Sequence, residues 1–405
     1  MSRRTSFGYS AYGTRSYRSG GYRGKHRRNH RIKIICLTLI ALLVLAVAAF
    51  ALWYFFLRDK GSTHQTDETS VMAESSLLAS QPSAVVSEPS HSESSREESK
   101  PPINIEGYWD GNVFMYDRSG YELFYGTDES AATYAAAVSS LKKGLGKDVN
   151  VYNMVVPNHA AFALPEKYLN TMNDEKANIQ AIYHAYSEDV IPIDVYAAEE
   201  KHKDEYTYFK TDHNWTGLGA YYAYQAFCKT AKVKAVEIAS LTTGSIKNFR
   251  GSLFVATQTE ESPKGNKELN ANPDVVTYYH MPYVESCTLL ENGKYEEQTV
   301  PLIATFAEGA NAYSAFIWGN NPYMQIKTTQ KTNRKLCIIK DSYGCALAPF
   351  TTANFDEVYV VDPAYYEGNI VEYLQKNKFT DVLVINSIMT ANTAFRVKDI
   401  LSILP

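Results

Sequence analysis

The alternation of apolar and polar positions divides the chain before any motif is considered. Ile34 to Leu57 carries no charged residue, is rich in Leu, Ala, Val and Ile, and ends in Trp53-Tyr54-Phe55-Phe56. A helix needs about 20 apolar residues to cross a hydrocarbon core of ~30 Å, so this run predicts one transmembrane helix. It is too long, and ends too bulkily, for a cleaved signal peptide, whose apolar core is roughly 7–15 residues. Residues 58–104 are rich in Ser, Glu, Thr and Gln, and Pro82, Pro89, Pro101 and Pro102 punctuate them, the pattern of a solvated stalk. Residues 105–405 read as one large globular domain.

Within that domain strands alternate with helices. Val149–Val156, Val190–Val195 and the short Tyr206–Lys210 read as extended, and Glu175–Tyr186 and Thr216–Ala231 as helices. Residues 241–300 are β-like and loop-rich, the pattern of an insertion. Ala312–Trp318 and Tyr323–Thr328 flank the turn signal Gly319-Asn320-Asn321-Pro322 and predict a strand pair. Strands at 335–340, 357–361 and 381–386 then alternate with helices at 343–353, 367–377 and 391–402. Such a series implies a parallel sheet with helices on both faces, an α/β class.

Charge sharpens the topology. The chain has 405 residues and a formal net charge of -4, yet residues 2–33 hold Arg and Lys with no acid among them. That segment cannot bury enough apolar surface to fold. Its Arg/Tyr/Gly mixture is compatible with RNA binding, but next to an apolar span it sets orientation, with the N-terminus cytoplasmic and the C-terminal domain outside the cell. It also suits contact with the anionic lipid bilayer, and no nucleic-acid partner is expected. Cys228, Cys287, Cys337 and Cys345 match no zinc or Cys-x-x-Cys spacing and read as buried free thiols. His184, His202 and His280 show no ligand spacing, and no phosphate-loop or dinucleotide fingerprint is present, so neither metal nor cofactor is expected.

Two stretches carry candidate chemistry. Lys340-Asp341-Ser342-Tyr343-Gly344 follows the apolar run Leu336 to Ile339 and precedes a small-residue run. Ser342 therefore falls at a strand's carboxyl end beside a helix start, a place suited to a nucleophile whose oxyanion backbone N–H groups near Ser342 and Tyr343 would hold. A simple helix cap is the alternative. Thr211-Asp212-His213-Asn214-Trp215-Thr216 lies at another strand-to-helix junction and brings an acid and a base to one turn, as serine nucleophiles require. Here too capping is the alternative. Tyrosine is abundant, and Trp215 and Trp318 suit sugar stacking or core packing equally. Asn320 offers an oxyanion donor or a turn.

These two motifs, with Asp381-Val382-Leu383-Val384-Ile385-Asn386, resemble the DHHW protein family, itself similar to the SGNH-like alginate O-acetylation proteins. The resemblance implies a three-layer α/β/α SGNH-hydrolase-like domain. It further implies acetyl transfer to an extracytoplasmic polysaccharide beside a membrane-bound acyltransferase, with Ser342 as nucleophile and Asp212 as orienting acid. Relatives place the catalytic histidine where this chain has Asn214, and an arginine where it has Ala364. An amide has no useful basicity. Three outcomes stay open: His213 is the base, His159 in the Pro157-Asn158-His159 turn is the base, or the domain binds glycan without catalysis. A carbohydrate esterase is a further alternative.

Overall fold

The computed structural model describes residues 105–405. The expected tail (1–33), membrane helix (34–57) and stalk (58–104) lie outside the described residues. Among those described, no helix is long and apolar enough to cross a membrane.

The described chain opens with an antiparallel meander of β1 (Tyr108–Asp110), β2 (Val113–Tyr116) and β3 (Ser119–Tyr121). The main sheet takes strands from the rest of the chain: β4 (Asn150–Val156), β5 (Ile191–Pro192), β8 (Val284–Leu290), β9 (Gln298–Val300), β10 (Tyr323–Thr328), β11 (Lys335–Lys340), β12 (Glu357–Val361) and β13 (Asp381–Ser387). Their order is β5-β4-β13-β11-β12-β10-β8-β9, while β6 (Thr243–Phe249) and β7 (Asp274–Tyr279) pair separately. The five strands from β5 to β12 run parallel; β10, β8 and β9 continue the sheet antiparallel. The sheet is thus mixed, parallel only in the half that carries the Ser342 turn.

Side-chain alternation sends the two faces of each central strand into separate cores. Met154, Ile338, Val360, Leu383 and Ile385 meet the helices Gly217–Ala231 and Tyr343–Thr351 on one face. Val151, Cys337, Tyr359, Val382 and Val384 meet the helices Asp128–Leu145, Glu175–His184, Ile370–Lys376 and Ala394–Ser402 on the other. Burial on both faces explains why β11 and β13 read as unbroken apolar runs. The helix Gly217–Ala231 starts because the Thr216 hydroxyl accepts the Gly219 N–H, and it ends at Lys232 in the left-handed region (φ 57°). Its buried stripe, Ala220, Ala223, Tyr224, Phe227 and Ala231, follows helical spacing. A large apolar side chain buried this way contributes about 1.5–3 kcal/mol.

Three expectations are corrected. The strand expected at Val190–Val195 shrinks to Ile191–Pro192, because Asp194 caps the next helix by accepting the Ala197 N–H at 3.0 Å. Residues Gly309–Ala315 form a 3-10 helix instead of a strand, and β10 pairs with β12 and β8. Small Ala, Asn and Ser residues lack the β-branched bulk that favours a strand. Residues 241–300 hold strands as expected but are not set apart from the main sheet: β8 and β9 extend it, and the 251–274 segment buttresses the site described next.

Candidate active site

Ser342 stands where β11 gives way to the helix Tyr343–Thr351. It occupies the cap position with helical backbone angles (φ -56°, ψ -28°), yet its side chain makes no capping hydrogen bond. Its hydroxyl donates to Asn214 Oδ1 at 2.8 Å, and His213 Nε2 lies 3.4 Å from the same oxygen. The two stretches that the sequence singled out therefore meet, and the serine faces its partners. The helix can start this close to the strand because residue 344 is glycine: an added Cβ would fall on the Lys340 side chain.

Adjacent residues 213 and 214 both reach Ser342 because Asp212 curls the chain between them. Asp212 Oδ1 accepts the Asn214 backbone N–H at 2.8 Å and the Asn214 Nδ2 at 2.7 Å, an Asx turn with a second, side-chain bond. Asp212 Oδ2 accepts the Ser252 N–H at 2.7 Å. Ser252 Oγ in turn lies 2.5 Å from His213 Nδ1 and accepts the His213 N–H at 3.4 Å. A hydrogen-bonded series thus runs Asp212–Asn214–Ser342, and a second runs Ser252–His213–Ser342.

The motif is anchored from behind. Asp274, at the start of β7, accepts from the Thr211 N–H at 2.7 Å, the Thr211 hydroxyl at 2.6 Å and the Lys210 N–H at 3.1 Å. Thr211 Oγ1 accepts the Gly251 N–H at 3.1 Å, tying the 251–252 segment to the motif. Leu253 and Phe254 pack with Val113 and Met115 of the meander, which fixes the short helix carrying Ser252. Two further bonds clasp the motif to the helix Tyr343–Thr351. Trp215 Nε1 donates to the Tyr343 carbonyl at 2.9 Å, and the Tyr343 hydroxyl donates to the His213 carbonyl. The Tyr313 hydroxyl donates to the Ser342 carbonyl at 3.1 Å.

Asp341 forms the turn: its carboxylate accepts the Tyr343 N–H at 3.0 Å and the Ser387 N–H at 2.7 Å. The Tyr343 N–H expected to face an oxyanion is therefore spent. Among the described residues the Ser342 N–H has no acceptor and remains for that role. Beneath the turn, fully buried Lys340 donates to Asn320 Oδ1 at 2.7 Å and pairs with Asp362 Oδ2 at 3.3 Å. Asn320 arrives there through successive left-handed residues, Ile317 (φ 46°), Trp318 (φ 66°) and Gly319 (φ 79°). A β-branched residue in that region is strained. Asn320 thus holds Lys340 through its oxygen, and among the described residues its Nδ2 makes no hydrogen bond.

Several expected contributors take other parts. Trp215 (0 % exposed) and Tyr343 (1 %) are core residues with no ring face open to a sugar. Trp318 donates its Nε1 to the Pro301 carbonyl at 2.8 Å. His159 lies between Tyr208, stacked at 5.2 Å, and Tyr121 at 5.1 Å, and its buried Nδ1 has no partner. Burial pushes its pKa down to about 4. It makes no hydrogen bond to Ser342, so its place does not suit the base. Cys228, Cys287, Cys337 and Cys345 are buried and free. Sequence reasoning missed Ser252. Its only signal was a Gly-Ser pair ahead of the apolar Leu253-Phe254-Val255-Ala256.

Comparison with known proteins agrees with the motifs. The chain is similar to a solved DHHW family protein from Eubacterium siraeum at 32% identity, over 75% of this chain and 99% of that one, with a TM-score of 0.67. It shares its fold with Bacillus cereus PatB1, solved with a sulfonyl adduct, at 19% identity over 72% of this chain and 98% of that one, with a TM-score of 0.57. No curated protein matches in sequence. The family model described as DHHW protein matches residues 103–361, more than half of the chain. The chain belongs to the DHHW protein family.

Proposed function

We propose that this protein is an outward-facing, membrane-anchored acyltransferase that moves an acetyl group onto a hydroxyl of an envelope polysaccharide through an acyl-Ser342 intermediate. One observation carries the reading: the Ser342 hydroxyl is free of capping and held between Asn214 Oδ1 and His213 Nε2 at the carboxyl end of a central parallel strand. Open α/β sheets bind their ligands at that end. Resemblance of the motifs to the alginate O-acetylation proteins supplies the substrate class. The charge-free run 34–57 and the basic residues before it supply the anchor and its orientation. A membrane-bound acyltransferase delivering the acyl group from the cytoplasm is the fitting partner.

A second reading has its own support. An amide stands at the position bonded to both Asp212 and Ser342, where relatives have an imidazole, which favours a domain that binds glycan without turning it over. Full-length protein in detergent, given a chromogenic acetyl ester with and without an acceptor oligosaccharide, separates the readings. Acyl transfer requires ester turnover that Ser342→Ala abolishes, with acetylated sugar seen by mass spectrometry. Glycan binding with no turnover supports the second reading. Turnover that yields only free acetate makes the protein an esterase.

A further inference from the structure

We infer that the general base of this site is His213, oriented by the hydroxyl of Ser252 instead of by a carboxylate, so that the proton-accepting role has moved one residue along the chain. The inference rests on the acyl-Ser342 reading. Asp212 cannot orient His213 directly. Its Oδ1 is taken by the Asn214 N–H and Nδ2, and its Oδ2 by the Ser252 N–H. The atom that does meet His213 Nδ1 is Ser252 Oγ, at 2.5 Å. That oxygen already accepts the His213 backbone N–H, and a hydroxyl oxygen has a second lone pair for Nδ1–H. A proton on Nδ1 leaves the Nε2 lone pair facing Ser342 Oγ at 3.4 Å, the tautomer a base requires. Such contacts are often long in the absence of substrate.

Asn214 takes a different part. Its Oδ1 receives the serine proton at rest, at 2.8 Å, but an amide oxygen cannot remove it. In the first step the hydroxyl rotates toward His213. Nε2 takes the Oγ proton as Oγ bonds to the carbonyl carbon of an acetyl ester or thioester donor. The C–O or C–S bond to the leaving group then breaks, and the leaving group departs with the proton from Nε2. In the second step Nε2 takes the proton of a sugar hydroxyl, whose oxygen attacks the acetyl carbon. The Ser342 ester bond breaks, and the proton returns to Oγ. No charge on Ser252 balances the imidazolium formed in each step. The Asp212 carboxylate is linked to the ring only through Ser252, whose N–H it accepts. Ser252 is thus a positioning residue, and His213 the group that touches the reacting atoms.

Labelling of the full-length protein by phenylmethylsulfonyl fluoride, followed by intact mass, reads the reactivity of Ser342 without a natural substrate. Acetyl-ester turnover across pH reads the base. His213→Gln should slow both by about 10²–10⁴, the usual worth of a general base, and abolish the acid-side fall in rate. Ser252→Ala should lower kcat about tenfold at unchanged KM and displace that fall along the pH axis, while Ser252→Thr, which keeps a hydroxyl, should restore both. Circular dichroism melts check that each variant is folded. If folded His213→Gln labels and turns over like wild type while Ser342→Ala is dead, the relocated base is wrong and the acyl-serine stands. If Ser342→Ala matches wild type, or wild type neither labels nor turns over, the acyl-serine reading fails and takes this inference with it.

Discussion

Ser342 donates its hydroxyl hydrogen bond to an amide: Asn214 Oδ1 accepts it at 2.8 Å, while the other end of that amide donates to Asp212 at 2.7 Å. The geometry is that of an acid–base–nucleophile series with a group of no useful basicity at its centre. Replacing Asn214 by His puts a titratable ring between the same two partners. Turnover of an acetyl ester by Asn214→His should exceed that of wild type by about 10–10², within the range a general base supplies. An unchanged rate would mean that proton transfer does not limit the wild-type site.

Gly251 lies against the Asp212 carboxylate, where an added Cβ would overlap it. Gly251→Ala should push Asp212 off its bonds to Asn214 and Ser252. Misplacement by about 1 Å can reduce a rate by 10². Turnover should therefore fall far more than the melting temperature does, and paired kinetic and calorimetric measurements on the variant check this.

Trp215→Phe keeps most of the ring and deletes Nε1–H, so the Tyr343 carbonyl loses the donor that ties its helix to the 213–215 turn. A lost buried hydrogen bond costs about 0.5–1.5 kcal/mol, readable as a shift in denaturant midpoint. Labelling of Ser342 should slow in the same variant, since the carbonyl belongs to the residue that follows Ser342.

Lys340 and Asp362 pair with almost no exposure, and Lys340 also holds Asn320. Removing one partner leaves a buried charge, so Lys340→Met should cost about 3–5 kcal/mol. Lys340→Met combined with Asp362→Leu should regain much of that loss, because a well-packed apolar pair can replace an ion pair. Chemical denaturation of the single and double variants decides it.

Burial raises the Glu175 pKa from 4.5 to about 8 and lowers that of His159 from 6.5 to about 4. Between pH 4.5 and 6.5 the native state holds an extra proton on Glu175 and lacks one on His159, so the two slopes oppose each other. From pH 6.5 to 8 the opposing His159 effect is spent, and the stabilising contribution of Glu175 is lost as pH rises toward 8. Buried Glu199, also raised by burial, adds to the same trend. A melting temperature falling across that window is expected. Glu175→Gln should flatten its slope by up to about 1.4 kcal/mol per pH unit.

Much of this was legible in the sequence for a physical reason. Strands β11, β12 and β13 are buried on both faces, so their composition alone marks them, and the Ser342 turn is bounded by that contrast. Strand β8 is half exposed, in an order set by partners far along the chain, and nothing local distinguishes it from a loop-rich insert. The direction of His213 was equally hidden, because it depends on Asp212 folding the backbone and on Ser252, 39 residues downstream, meeting the ring. Asn214 was visible as a departure from the family pattern; its bond to Ser342 was not.

The two bonds between Tyr343 and the 213–215 turn run in opposite directions, one from indole to carbonyl and one from phenol to carbonyl. Neither segment can be displaced without orphaning polar groups on the other. Heating should therefore produce no species that retains a reactive serine while lacking its neighbours, and loss of labelling and loss of tertiary signal should trace a single curve.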